Sequence, residues 1–146
     1  MITVERAARV AVPAPVLFDL FRVPEKQKLL CRGYVDDITG GGIEIGSVRT
    51  YHAGGHISSG QVRERLDKCD PERMELEFLM VDTGDVVPFA DYRGLVRISH
   101  AGPHASIAML RSTFVPVDMD PETARQISER NYDLVFGNLK RLRCVD

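Results

Sequence analysis

Hydrophobic positions in this chain follow two periods. From Val35 onward they alternate with polar ones, the pattern of half-buried strands, until a stretch from Asp120 where they recur every three or four residues, as on one helix face. Turn-forming clusters at Thr39–Gly42, His52–Gly60, Cys69–Arg73, Thr83–Val87 and Ala101–His104 cut the alternating region into six strands. These are Val35–Thr39, Gly46–Ala53, Gly60–Lys68, Met74–Val81, Phe89–Ser99 and Ala105–Val117. Ile2–Val12, rich in β-branched residues, reads as a further strand that Pro13 and Pro15 end. After it, Val16–Arg22 and Pro24–Leu30 predict two short helices, the second with proline in its first turn.

The last helix is expected to run from about Asp120 to Val145, because Asp caps free backbone N–H groups and Pro121 tolerates the first helical position. At 100° per residue, Ala124, Ile127, Asn131, Leu134, Val135, Asn138, Leu139 and Leu142 share one face, with Gln126, Glu129, Arg130, Asp133, Lys140 and Arg141 opposite. Short turns between successive strands indicate an antiparallel sheet, and a long amphipathic helix covers such a sheet if the sheet curls around it. The expected fold is α+β: a seven-stranded antiparallel curved sheet wrapped around the C-terminal helix, with two short helices between strands 1 and 2. A single domain over residues 1–146 accounts for every element. Space left between sheet and helix is where a ligand site is expected. Asn131 and Asn138 sit within the apolar stripe, where an unpaired amide costs roughly 1–3 kcal/mol. Both are candidates to line the cavity.

Composition narrows the function. Nineteen basic and 21 acidic residues are interspersed along the chain, which argues against a broad nucleic-acid or anionic-membrane footprint. Cys31, Cys69 and Cys144 are odd in number and widely spaced, as expected of reduced thiols in a cytoplasmic protein and not of a zinc site. No signal-peptide pattern and no apolar run of about 20 residues is present, so neither secretion nor membrane insertion is expected. His52 with His56 and His100 with His104 lack a helical setting and the glutamate of a zinc motif. Gly40-Gly41-Gly42 joins strands instead of opening a helix, so it does not cradle phosphate. No metal and no cofactor is expected, and the chain is expected to act as a monomer or homodimer.

The hairpin Gly46–Lys68 carries the most chemistry. If its strands close symmetrically about His56–Ile57, Arg49 lies opposite Glu64, Tyr51 opposite Val62 and Ala53 opposite Gly60, all on one face. The alternate set, Val48, Thr50, His52, Arg63 and Arg65, is more polar, so the first set is expected to face inward. Arg49 and Glu64 are then either a self-satisfying salt bridge or the polar end of a cavity. Lys28 is either a solvated lysine or a partner for a ligand carboxylate. Tyr92 shares a strand face with Gly94, Val96 and Ile98, and Phe78 shares one with Met80, so each is a core or a ligand-lining candidate. Gly54-Gly55 suits a loop over a cavity mouth.

These pieces together resemble the START/Bet v 1-like helix-grip superfamily, in particular its polyketide cyclase/dehydrase and lipid-transport branch. The matching segments are Val10-Ala11-Val12-Pro13-Ala14, Gly46-Ser47-Val48-Arg49, Glu64-Arg65-Leu66-Asp67, Pro88 with Tyr92, Phe114-Val115-Pro116 and Asn138-Leu139-Lys140-Arg141-Leu142. The resemblance implies a sheet gripping a helix around an elongated cavity. The motifs are also similar to the plant abscisic-acid receptor branch, whose pocket positions fall on Lys28, Glu64, Phe78, Tyr92 and Asn138; the resemblance implies that Asn138 faces the cavity, and Asn131, without that support, is expected to bond the backbone of a covering loop. The receptors' gate Ser-Gly-Leu-Pro-Ala is replaced by Gly55-His56-Ile57-Ser58-Ser59, and their His-Arg-Leu latch by Val87-Pro88-Phe89, so only the pocket logic carries over.

The first functional expectation is a carrier or sensor for a small hydrophobic or amphipathic molecule. Its body would lie against Val62, Phe78, Met80, Leu134 and Val135, and its polar end near Lys28, Arg49, Tyr51, Glu64, Tyr92 and Asn138. The alternative is a cofactor-independent cyclase/dehydratase with Glu64 and Tyr92 as general acid and base. The third is a partner-binding module using the sheet's outer face.

Overall fold

The computed structural model describes residues 1–53, 60–84 and 87–142. Among these residues the chain forms β1 (Ile2–Val10), α1 (Ala14–Arg22), α2 (Pro24–Gln27), β2 (Val35–Gly40), β3 (Val48–Ala53), β4 (Gln61–Asp70), β5 (Glu75–Asp82), β6 (Phe89–His100), β7 (Ser106–Pro116) and α3 (Pro121–Arg141). The strands make one antiparallel sheet in the order β1-β7-β6-β5-β4-β3-β2. β1 and β2 therefore lie at opposite edges, and the α1–α2 segment crosses between them. This is the helix-grip architecture expected from the hydrophobic pattern.

Four register shifts, at Val35/Asp37, Arg63/Glu64, Leu66/Lys68 and Ala90/Arg93, interrupt the ladders. Each extra residue bends its strand and raises the local twist, which curls the sheet toward the helix. The strongest case is β6, where Asp91 and Tyr92 oppose Phe114 alone and Asp91 takes φ +51°.

Helix α3 is capped as its sequence predicts, with the Asp120 carboxylate accepting from the Thr123 N–H at 3.2 Å. Its buried residues are Ala124, Ser128, Val135, Phe136, Asn138 and Leu139, so the inward face is rotated toward Ser128, Tyr132 and Phe136 relative to the expected stripe. Asn131 and Leu134 are consequently only half-buried, at the edge. α2 stops at Gln27 instead of Leu30; single turns follow, such as Leu30 N–H to the Gln27 carbonyl at 2.9 Å and Val35 N–H to the Cys31 carbonyl at 3.0 Å. β3 begins at Val48 and not at Gly46, whose φ of +92° is incompatible with a strand. The main core packs α1 and α3 against the sheet through residues such as Leu17, Leu66, Leu76, Ile98 and Leu139, all essentially inaccessible.

Candidate functional site

The Arg49–Glu64 and Tyr51–Val62 pairings across β3 and β4 are present in the register inferred from symmetric closure. The hairpin tip, with Gly54-Gly55, His56 and the gate-like segment, lies outside the described residues. Arg49, 1% exposed, points inward, but neither expected reading describes it. Its Nη1 donates to the Phe21 carbonyl (3.3 Å) and the Gln27 side-chain oxygen (2.6 Å), and its Nη2 to the carbonyls of Arg22 (2.8 Å) and Gly42 (3.0 Å). The guanidinium thus ties the end of α1, helix α2 and the β2–β3 loop to the sheet. The triple glycine serves this contact: Gly41 has φ +78°, and a Cβ there would come within 2.8 Å of the Arg49 Cβ.

Beneath this fastening lies a cavity of about 110 Å³. Glu64, Phe78, Tyr92 and Val135 line it, as inferred from sequence. Gly94 and Val96, which share the strand face of Tyr92, also line it, as do Phe21, Gln27, Leu30, Cys31, Tyr34, Leu110 and Tyr132, which the sequence does not single out. Gln27, Cys31 and Tyr34 sit on the aperiodic segment around and after α2, which offers no pattern to read. Tyr132 is hidden from the hydrophobic pattern by the small rotation of the helix face.

The remaining candidates have other surroundings. Tyr51 donates to the same Gln27 oxygen at 3.3 Å, and Val62 and Met80 pack with Cys31, Ile38 and Tyr51 beside the cavity. Lys28 is paired with Asp37 (2.9 Å) and Glu25 (3.3 Å) on the partly exposed surface. Asn138 donates to the carbonyls of Leu30 (2.9 Å) and Arg32 (3.0 Å), and Leu134 lies against Gly33. These last two hold the covering segment in place, the task expected of Asn131.

The electrostatics follow from enclosure. Burial pushes the Glu64 carboxyl above its ordinary value, with Tyr51 and Arg49 opposing the shift. The carboxyl faces the cavity, so its surface is not packed against protein atoms although protein encloses it. Burial likewise pushes the Tyr92 phenol and the Cys31 thiol up to about 12, and Tyr34, Tyr51 and Tyr132 well above the ordinary phenol range. All four tyrosines of the chain are therefore neutral donors at physiological pH, grouped around one carboxyl. Tyr92 is aimed by the bulge at Asp91 and stacks with Phe89 and Phe114, with centroids 5.5 and 5.8 Å apart. Among the described residues no cluster of three or more His, Cys, Asp or Glu is arranged to hold a metal, and no helix is long and apolar enough to cross a membrane.

A family model described as polyketide cyclase / dehydrase and lipid transport matches residues 1–142. The chain belongs to this family. A search of curated proteins by sequence finds no match, whereas solved structures share the fold across almost the whole family domain. XoxI from Bacillus cereus superposes with a TM-score of 0.79 at 13% identity, covering 99% of this chain and 97% of that one. An uncharacterized protein from Bacillus thuringiensis gives 0.75 at 12%, covering 97% and 98%. Norcoclaurine synthase from Thalictrum flavum, solved with dopamine and hydroxybenzaldehyde, gives 0.71 at 12%, covering 97% and 85%. Identities this low establish a common Bet v 1-like fold for this family member and nothing about its ligand.

Proposed function

We propose that this member of the family holds a small, largely apolar molecule in the cavity between sheet and α3, as a carrier or sensor. The supporting observation is the cavity itself. Its 110 Å³ far exceeds the roughly 10–15 Å³ that a single water centre needs, and its walls combine apolar side chains with a few convergent polar groups, the make-up of a ligand site.

Gly94 provides the test. A Cβ there would meet only the Tyr92 ring, at an ordinary 3.8 Å, so Gly94→Val places its methyl groups in the open space without displacing backbone. Native mass spectrometry of freshly purified protein, with extraction of bound material, is expected to show a bound small molecule on the wild type that Gly94→Val lacks. Equal occupancy of a folded Gly94→Val protein would overturn the location of the site. A wild type that carries nothing and takes up no compound from an apolar library would overturn the binding role.

One observation favours a second reading, cofactor-independent catalysis of the cyclase/dehydratase type. Glu64 and Tyr92 line the same small space, a carboxyl with raised proton affinity beside a phenol, and such a pair suits general acid–base work on a carbonyl compound. Turnover abolished by Glu64→Gln with affinity retained would select this reading; binding without any product would exclude it.

A further inference from the structure

We infer that the cavity selects uncharged molecules whose polar end is a hydroxyl or similar neutral group, and discriminates against carboxylates and amines. This rests on the binding role proposed above. Among the described residues lining the cavity there is one carboxyl, Glu64, and no lysine, arginine or histidine. The two cations that the sequence suggested for a ligand's anionic end are both committed elsewhere. Lys28 is held by Asp37 and Glu25 at 2.9 and 3.3 Å, outside the lining. Arg49 has four of its five N–H groups given to three carbonyls and the Gln27 amide oxygen. Its guanidinium lies 4.9 Å from the centroid of the Phe78 ring, and that ring is itself part of the cavity wall. An entering carboxylate would therefore meet Glu64 and phenols, with no free cation among the described lining residues.

A ligand amine is disfavoured by the same pair. Arg49 and Glu64 are direct cross-strand partners, and without a salt bridge between them the buried Arg49 charge is still near enough to oppose the upward shift of the Glu64 carboxyl. A second cation would leave the enclosed region with excess charge that burial penalises. A neutral hydroxyl suits the site as it stands: Glu64 accepts, while Tyr92 and Tyr132 donate. The rings of Phe21, Tyr34 and Phe78 offer flat apolar contact for the rest of the molecule.

The experiment uses three probes with one carbon skeleton: cinnamyl alcohol, cinnamate and cinnamylamine, titrated calorimetrically into the full chain near neutral pH. Cinnamyl alcohol is expected to bind at least about tenfold more tightly than either charged probe, a difference of about 1.4 kcal/mol. Cinnamate or cinnamylamine matching or exceeding the alcohol would overturn the inference while leaving the binding role intact. Failure of all three, together with an empty wild-type protein by mass spectrometry, would overturn both. Glu64→Gln supplies a second readout, because it removes the one carboxyl among the described lining residues. The alcohol-to-cinnamate ratio is expected to narrow in that variant, and an unchanged ratio would overturn the role given to Glu64.

Discussion

Two adjacent cross-strand rows on the inner face of the sheet differ by one step of the strand period, yet one is filled with large apolar side chains and the other lacks a side chain at Gly94, on the cavity floor. The first runs Leu76, Val96, Leu110 across β5, β6 and β7; all three are large, apolar and buried. The second runs Phe78, Gly94, Ser112 over the same strands. The rows lie about 7 Å apart along the strands. The rows differ in side-chain volume: a glycine, which lines the cavity, and a fully buried serine stand side by side where the neighbouring row has valine and leucine. At Ser112 the helix is joined to the sheet by a hydrogen bond to Ser128, at 3.0 Å, instead of by apolar contact. The cavity thus combines a missing side chain at Gly94 with the β6 bulge that aims Tyr92.

Because the second row does not close the space above it, the covering segment must be held by other means, and Arg49 is the main one. Arg49→Met is expected to have the largest effect of any substitution at either row or its fastenings. It takes this donor from the carbonyls of Phe21 and Arg22, while the Gly42 carbonyl keeps Ser47 and the Gln27 oxygen keeps Tyr51, and each buried orphan costs roughly 1–3 kcal/mol. A loss of about 4 kcal/mol or more in urea unfolding is expected on that basis, with ligand binding lost at temperatures where the protein is still folded. Wild-type stability in the Arg49→Met variant would show that the segment is held by packing after all.

Leu76→Ala attacks the first row. Leu76 is fully buried, and deleting such a side chain typically costs about 2–5 kcal/mol, the higher values where surroundings cannot collapse. With Val96 and Leu110 fixed beside it, a loss of about 3 kcal/mol is expected, with cavity affinity little changed as long as the protein is folded. Set against Gly94→Val, which should cost little stability and abolish binding, it separates the two rows by two independent measurements. Similar profiles for both variants would mean that the rows form one packing unit.

What was legible in the sequence divides along the same line. Strand positions, the Arg49–Glu64 register and the capped helix all rest on local period and turn chemistry, which neighbouring residues encode. The wall residues Glu64, Phe78, Tyr92 and Val135 were accessible because they lie on periodic elements. Arg49 was correctly turned inward, but its partners were not legible, since three of them are carbonyls that every residue possesses and they come from positions 7 to 28 residues away. Asn131 and Asn138 exchanged expected roles because the helix face lies closer to Ser128 and Tyr132 than hydrophobicity alone implied. Tyr132, at the cavity wall, and Ser128, bonded to Ser112, carry no hydrophobic signal.

The smallest expected effect concerns the charge of the second row's surroundings. Burial raises the proton affinity of Glu64 in the folded state relative to the unfolded chain. Between its unfolded and folded pKa values the native state binds more protons, so stability falls as pH rises through that window. The contribution of the protonated carboxyl is complete below the unfolded pKa and is gone above the folded one, where the ionised group instead bears its desolvation cost. Glu64→Gln cannot ionise. Its melting temperature should therefore nearly match the wild type at acid pH and exceed it increasingly toward neutrality, as measured by thermal unfolding across a pH series. The opposite trend, a variant that loses ground as pH rises, would mean that Arg49 stabilises the ionised carboxylate more than burial penalises it. The pair would then be a buried salt bridge, and the difference between the two rows would be one of charge as well as of volume.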